Sequence, residues 1–364
     1  MGTVNEILAQ DKGEYLHNHE KTLASVQRKA FAAVTDCRTP AMGSHLFSCE
    51  ECGHPILTNR SCGNRHCPTC QGDKADEWLQ NHFRQLLPVP YFLITFTLPA
   101  ECRDIAYKHQ KEVYQSLFLA AWESVKKLAQ DPKYLGVAQL AALSVLHTWG
   151  RQMQYHIHLH MLVAGGGIDS QGKWRASRQD FFLPVMALSK IYRAKFRDEM
   201  IKRKLYEKFP AITWRQPFNI HCKNAGNGVR TLTYLSSYLF RVAISNWRIV
   251  KYTEEAVTIR YQKVGSKQWK KTILTTQEFI RRFLLHILPK GFMKVRTFGL
   301  WNHNAAISLE EVKQRIADAW EATCRLPKEL PEKKSRAFKC PKCQGKMKLK
   351  EIQRPGAEPV CLSG

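Results

Sequence analysis

Apolar residues run together in short stretches through the middle of the chain. Tyr91–Leu98 (YFLITFTL) is rich in aromatic and β-branched residues and is closed by Pro99, which predicts a strand. Further apolar strands are predicted over about 138–147 and 155–163, the latter ending in Gly165-Gly166-Gly167, with a short one over 218–222. Between them the spacing turns helical. Tyr114, Leu117, Phe118, Ala121, Trp122, Val125 and Leu128 form one stripe, residues 189–209 read as a basic helix, and a helix over about 229–242 follows the turn Asn224–Gly228. VTIRYQ and QWKKTIL alternate like hairpin strands, and Thr275-Thr-Gln-Glu278 predicts a capping box on a helix ended by Pro289-Lys-Gly291. Strands alternating with helices over 91–300 predict an α+β domain, one sheet with helices packed on it.

The flanks differ. Residues 1–36 read as helical, with Leu16, Leu23, Val26, Ala30 and Val34 near helix spacing. Residues 37–88 carry Cys37, Cys49, Cys52, Cys62, Cys67 and Cys70 among Gly and Pro, with too few large apolar residues to build a core. Cys49-x2-Cys52 and Cys67-x2-Cys70 stand fourteen residues apart, which predicts a four-cysteine structural zinc site, with Cys62 or His66 as a substitute ligand. Cys37 and His54 remain over, which leaves room for a second ion. The catalytic part is expected over 89–305, and 306–364 as a helix with a basic tail. In that tail Cys340-Pro-Lys-Cys343 is half a zinc ribbon, with Cys361 or Cys324 as possible partners, and Arg325–Lys350 holds ten Lys or Arg against two Glu.

Charge narrows the partners. Fifty-six Lys and Arg against 31 Asp and Glu give a net charge of +25, which favours a polyanion. The longest apolar stretches are far too short to span a bilayer, and the N-terminus lacks the apolar run of a signal peptide. Clustered C-x-x-C pairs suit metal in a reducing compartment, so a bacterial cytoplasm and a nucleic-acid partner are expected.

Two constellations carry chemistry. In Tyr155-His-Ile-His-Leu-His160, strand periodicity places His156, His158 and His160 on one face, where neutral imidazoles can chelate a divalent ion. Tyr234 and Tyr238 sit at i and i+4 of a predicted helix, about 5–6 Å apart at Cβ, among Thr231, Thr233, Ser236 and Ser237 and flanked by Arg230 and Arg241. A phenol can attack a phosphodiester and hold the 5′ phosphate covalently. The basic residues Arg281, Arg282, Lys290, Lys294 and Arg296, interleaved with Phe279, Phe283, Phe292 and Phe298, predict a single-strand groove with stacking platforms.

Together these residues resemble the two-tyrosine HUH transposases of bacterial rolling-circle insertion sequences. HIHLHMLVAGGG, YLSSYLFRVAISNWRI and EFIRRFLLHILPKGFMKVRTFG match in kind, and the cysteine block ending in Asn64-Arg-His-Cys-Pro-Thr-Cys-Gln71 resembles that family's zinc-binding domain. The resemblance runs from about Cys49 to Leu300, with isoleucine in place of a proline after His156. It implies an HUH-endonuclease-like antiparallel sheet with flanking helices. It also implies Mg or Mn on His158 and His160, with His156 as a third ligand. Tyr234 and Tyr238 would be nucleophiles forming 5′-phosphotyrosine links on single-stranded or hairpin transposon ends. A plasmid replication initiator or relaxase would share this chemistry; a non-enzymatic zinc-finger protein would leave the histidines and tyrosines without a role.

Overall fold

The computed structural model describes residues 2–239, 243–263, 265–266, 268–319, 338–356 and 360–361. Its strands are β1 Ser44–Cys49, β2 Pro55–Asn59, β3 Tyr91–Thr97, β4 Gln139–Trp149, β5 Tyr155–Ile168, β6 Trp174–Ala176 and β7 Asn219–Asn224. They continue with β8 Ile249–Tyr252, β9 Ala256–Gln262, β10 Trp269–Thr275, β11 Val295–Gly299, β12 Met347–Gln353 and β13 Val360–Cys361. The chain divides into two compact units. One gathers residues 1–74, 240–287 and 329–364; the other gathers 75–239 and 288–328. Boundaries at 36, 88 and 305, which assume contiguous segments, do not anticipate this interleaving.

The second unit is the α+β domain expected from the alternation. Its sheet runs β11-β4-β5-β3-β7 with β6 added to β5, and every pairing is antiparallel. One face is apolar: Ile157, Leu159 and Met161 of β5 are buried beside Phe92, Ile94 and Phe96 of β3. The helices Gln110–Gln130 and Val185–Lys202 cover that face. Tyr114 hydrogen-bonds Tyr155, Trp122 stacks on Phe298 at 5.0 Å, and the ring of Tyr192 lies 5.0 Å from that of Phe96. Burying large aromatics at roughly 1.5–3 kcal/mol each makes this the stabilising layer of the unit. The opposite face carries the even-numbered residues of β5, including all three histidines.

The helix Val229–Leu239 is started by a turn that only glycine fits. Gly228 has φ +80°, and a Cβ there would meet the Tyr91 ring at 2.8 Å. Asn227 Oδ1 accepts the Val229 N–H at 3.2 Å, satisfying one of the helix's open donors.

In the first unit, the expected helical start is made of three helices: Val4–Gln10, Lys12–His19 and Ser25–Thr35. β10-β9-β8 form the anticipated hairpin sheet, and Thr275 caps the helix Thr276–Leu284 by accepting the Glu278 N–H. A second sheet runs β13-β12-β1-β2. The C-terminal segment 338–353, expected as part of a mobile tail, is therefore an ordered arm paired with β1.

Candidate active site and metal centres

The histidine face is best read from the register. His147 of β4 pairs with His158 of β5, which pairs with Thr97 of β3, which pairs with Asn219 of β7. One row along, Val145, His160, Thr95 and His221 align in the same way. Directly paired residues share a face, so His147, His158 and His160 converge, and their ligand nitrogens all lie within 4.8 Å of one another. Three imidazole donors this close suit one divalent ion.

This corrects the expected ligand set. His158 and His160 are brought together as foreseen, yet the third member is His147 rather than His156. The ring of His156 stands 5.0 Å from that of His158, at the lip of a pocket of about 300 Å³ lined by Glu101, Arg103, Gln216 and Asn219.

Hydrogen bonds orient the triad. His158 Nδ1 lies 3.1 Å from the His156 carbonyl, so Nδ1–H donates there and Nε2 keeps its lone pair. His160 Nδ1 lies 3.0 Å from Thr95 Oγ1; with the hydroxyl accepting from Nδ1–H, Nε2 keeps its lone pair for a metal. Burial pushes the His160 pKa down to about 4. His158 and His147 are held well below the usual imidazole range by burial and by their histidine neighbours, with the charge of Lys294 adding to the effect on His147. Neutral imidazoles are the form that binds metal.

Tyr234 is 41% exposed, and its ring lies edge-on to that of His160 at 6.1 Å. Thr233, Ser236 and Ser237 donate to carbonyls of their own helix, those of Val229, Thr233 and Tyr234. Tyr238 follows one turn on in that helix, but its side chain lies outside the described residues, as do Arg241 and Cys324 and the side chain of Cys361.

The basic residues separate. Arg230 and Lys290 are exposed. Arg281 and Arg282 both pair with Glu278, each at 2.6 Å, which neutralises part of their charge. Arg296 pairs with Ser144, on the helix-covered face, and lies over the Phe118 ring at 4.4 Å. The stacking platforms are a correction. Phe279 and Phe283 are fully buried, Phe292 nearly so, and Phe298 is stacked on Trp122.

The cysteines form two sets, and the expected foursome of Cys49, Cys52, Cys67 and Cys70 is divided between them. Cys37, Cys62, Cys67 and Cys70 converge, as do Cys49, Cys52, Cys340 and Cys343, each set with its sulfurs within 4.8 Å. Cys62 thus joins Cys67 and Cys70, with Cys62 and Cys70 sulfurs 3.7 Å apart, while His66 bonds Asn64 instead.

Comparison with known proteins gives the family. Residues 141–307 match the family described as "Putative transposase", and residues 7–98 match the "Transposase zinc-binding domain". The chain belongs to the two-tyrosine transposases of bacterial insertion sequences, with their N-terminal zinc-binding domain. It is 35% identical to the "Putative transposase y4qJ" of Sinorhizobium fredii over 93% of both chains. It is 26% identical to the "Transposase for insertion sequence element IS801" of Pseudomonas savastanoi pv. phaseolicola, over 77% of this chain and 71% of that one. No solved structure matches it. Among the described residues, no helix is long and apolar enough to cross a membrane.

Proposed function

We propose that this transposase nicks and rejoins single-stranded or hairpin transposon ends in the bacterial cytoplasm, through a 5′-phosphotyrosine on Tyr234, with Tyr238 as the second nucleophile. The observation that carries the reading is the exposed phenol of Tyr234 beside a buried cluster of three neutral histidines. His147, His158 and His160 would hold a divalent ion, Mg or Mn, and that ion would polarise the scissile phosphate and ease departure of the 3′ oxygen.

In the step itself, the phenolic oxygen bonds to phosphorus while the bond to the 3′ oxygen breaks. A free 3′ hydroxyl and a protein-held 5′ end result. The bond energy is kept, so a 3′ hydroxyl can later reverse the link. The exposure of Tyr234 gives a DNA strand access that a packed ring would deny. Arg230 in the first turn of its helix, and Lys294 near His147, supply positive charge for the phosphates.

Labelled single-stranded oligonucleotides incubated with manganese test this. Wild-type protein should form a covalent adduct. His158→Ala, His160→Ala and His147→Ala should each abolish it while DNA binding persists, because binding draws on many dispersed cations. His156→Ala should be milder. Full adduct formation in EDTA would contradict the metal assignment.

A further inference from the structure

Cys340 and Cys343 lie far outside the matched zinc-binding segment, yet they complete a set with Cys49 and Cys52. The sulfur of Cys49 is 3.4 Å from that of Cys343, Cys52 is 3.6 Å from Cys340, and Cys343 is 3.5 Å from Cys52. A tetrahedral zinc with bonds of about 2.3 Å demands sulfur–sulfur edges of about 3.8 Å, so the four thiols stand close to that spacing.

The two halves also share one backbone design. After Cys52, Gly53 has φ +70° and donates its N–H to the Cys49 carbonyl at 3.1 Å. After Cys343, Gln344 has φ +64° and donates to the Cys340 carbonyl at 2.9 Å. Left-handed backbone in a non-glycine residue is costly and persists where the surroundings impose it. Two matching knuckles that present paired sulfurs to each other are the architecture of a zinc ribbon.

The apolar content of this sheet cannot hold it alone. Its buried cluster is Cys49, Cys340 and Met347, with Phe47 and Ile56 against it and Phe338 beside Phe47 at 4.9 Å. The alternative, that the pairing of β1 with β12 brings four free thiols together by chance, leaves two of them exposed with nothing gained. We infer that Cys49, Cys52, Cys340 and Cys343 bind a second zinc ion, distinct from that of Cys37, Cys62, Cys67 and Cys70, and that this ion clamps the C-terminal arm onto the N-terminal zinc domain. Metal-binding energy here is folding energy for both ends of the chain. The claim stands apart from the tyrosine chemistry.

Native mass spectrometry of the full chain, purified with zinc, tests it. The double variant Cys340→Ser/Cys343→Ser should carry one zinc ion fewer than wild type, whatever the histidine cluster holds. An equal zinc count in the two proteins would overturn the proposal. Alkylation of wild type gives a second reading that needs no variant. Cys52 and Cys343 are exposed, so only a bound metal can shield them. Both should resist iodoacetamide in the zinc-loaded protein and label together on chelation. Rapid labelling of Cys343 before chelation would equally overturn it.

Discussion

Thr95 holds no ligand atom of the histidine cluster, yet its hydroxyl is 3.0 Å from His160 Nδ1 and so fixes which nitrogen of that ring faces the cluster. Thr95→Val keeps the side-chain shape and removes the hydrogen bond. Loss of such a partner costs roughly 10–100-fold in metal affinity, and manganese titration by calorimetry of zinc-loaded protein should read a weakening of that size. Unchanged affinity would mean that Thr95 does not orient the ring. At the same scale, His158 and His160 were legible because alternation along one strand is a local property. His147 was not, because its place depends on a β-bulge. Trp149 pairs with Tyr155 while His147 pairs with His158, so an extra residue is inserted between them. Without it, His147 would oppose Ile157 on the apolar face. A lone histidine ending an apolar strand was the signal available.

At the scale of elements, β5 joins an apolar face to a histidine face, and that makes its stability depend on pH. The ordinary imidazole value is 6.5 and that of His160 in the fold is about 4. Between these, the unfolded chain holds a proton that the folded chain does not, so stability falls as pH falls through the window. His160 alone should remove about 2 kcal/mol between pH 7 and pH 5. Urea denaturation without added divalent metal should show the loss, and His160→Gln, which cannot titrate, should show a shallower dependence. Equal slopes in the two proteins would refute a buried neutral His160. The phenylalanine assignment failed at this scale too. Phe279 and Phe283 are four residues apart on the helix Thr276–Leu284, and spacing that interleaves aromatics with arginines also describes an amphipathic helix with a buried face. Four strands of the sheet, β3, β4, β5 and β7, were foreseen because apolar runs mark them, whereas β6 and β11 were not: their short, basic sequences, Trp174-Arg-Ala176 and Val295-Arg-Thr-Phe-Gly299, become strands only by pairing with β5 and β4.

Across the whole molecule, the chain is not segmented in the order it is written. β1 pairs with β12 some three hundred residues later, and this brings the two cysteine pairs together. C-x-x-C spacing announces metal ligands from local sequence, but it cannot say which pairs share an ion. That information lies in long-range strand pairing. The net charge of +25 and the family membership make DNA the partner, while the proposed chemistry rests on the phenols of Tyr234 and Tyr238 and on three imidazoles. The most direct test maps the covalent link. Protein incubated with a single-stranded transposon-end oligonucleotide and manganese would be digested, and the adduct located by tandem mass spectrometry. The account predicts a 5′-phosphate on Tyr234 or Tyr238, within the peptide spanning Thr231–Arg241, and no adduct in Tyr234→Phe/Tyr238→Phe. An adduct on any other residue, or one that persists in the double variant, would contradict it.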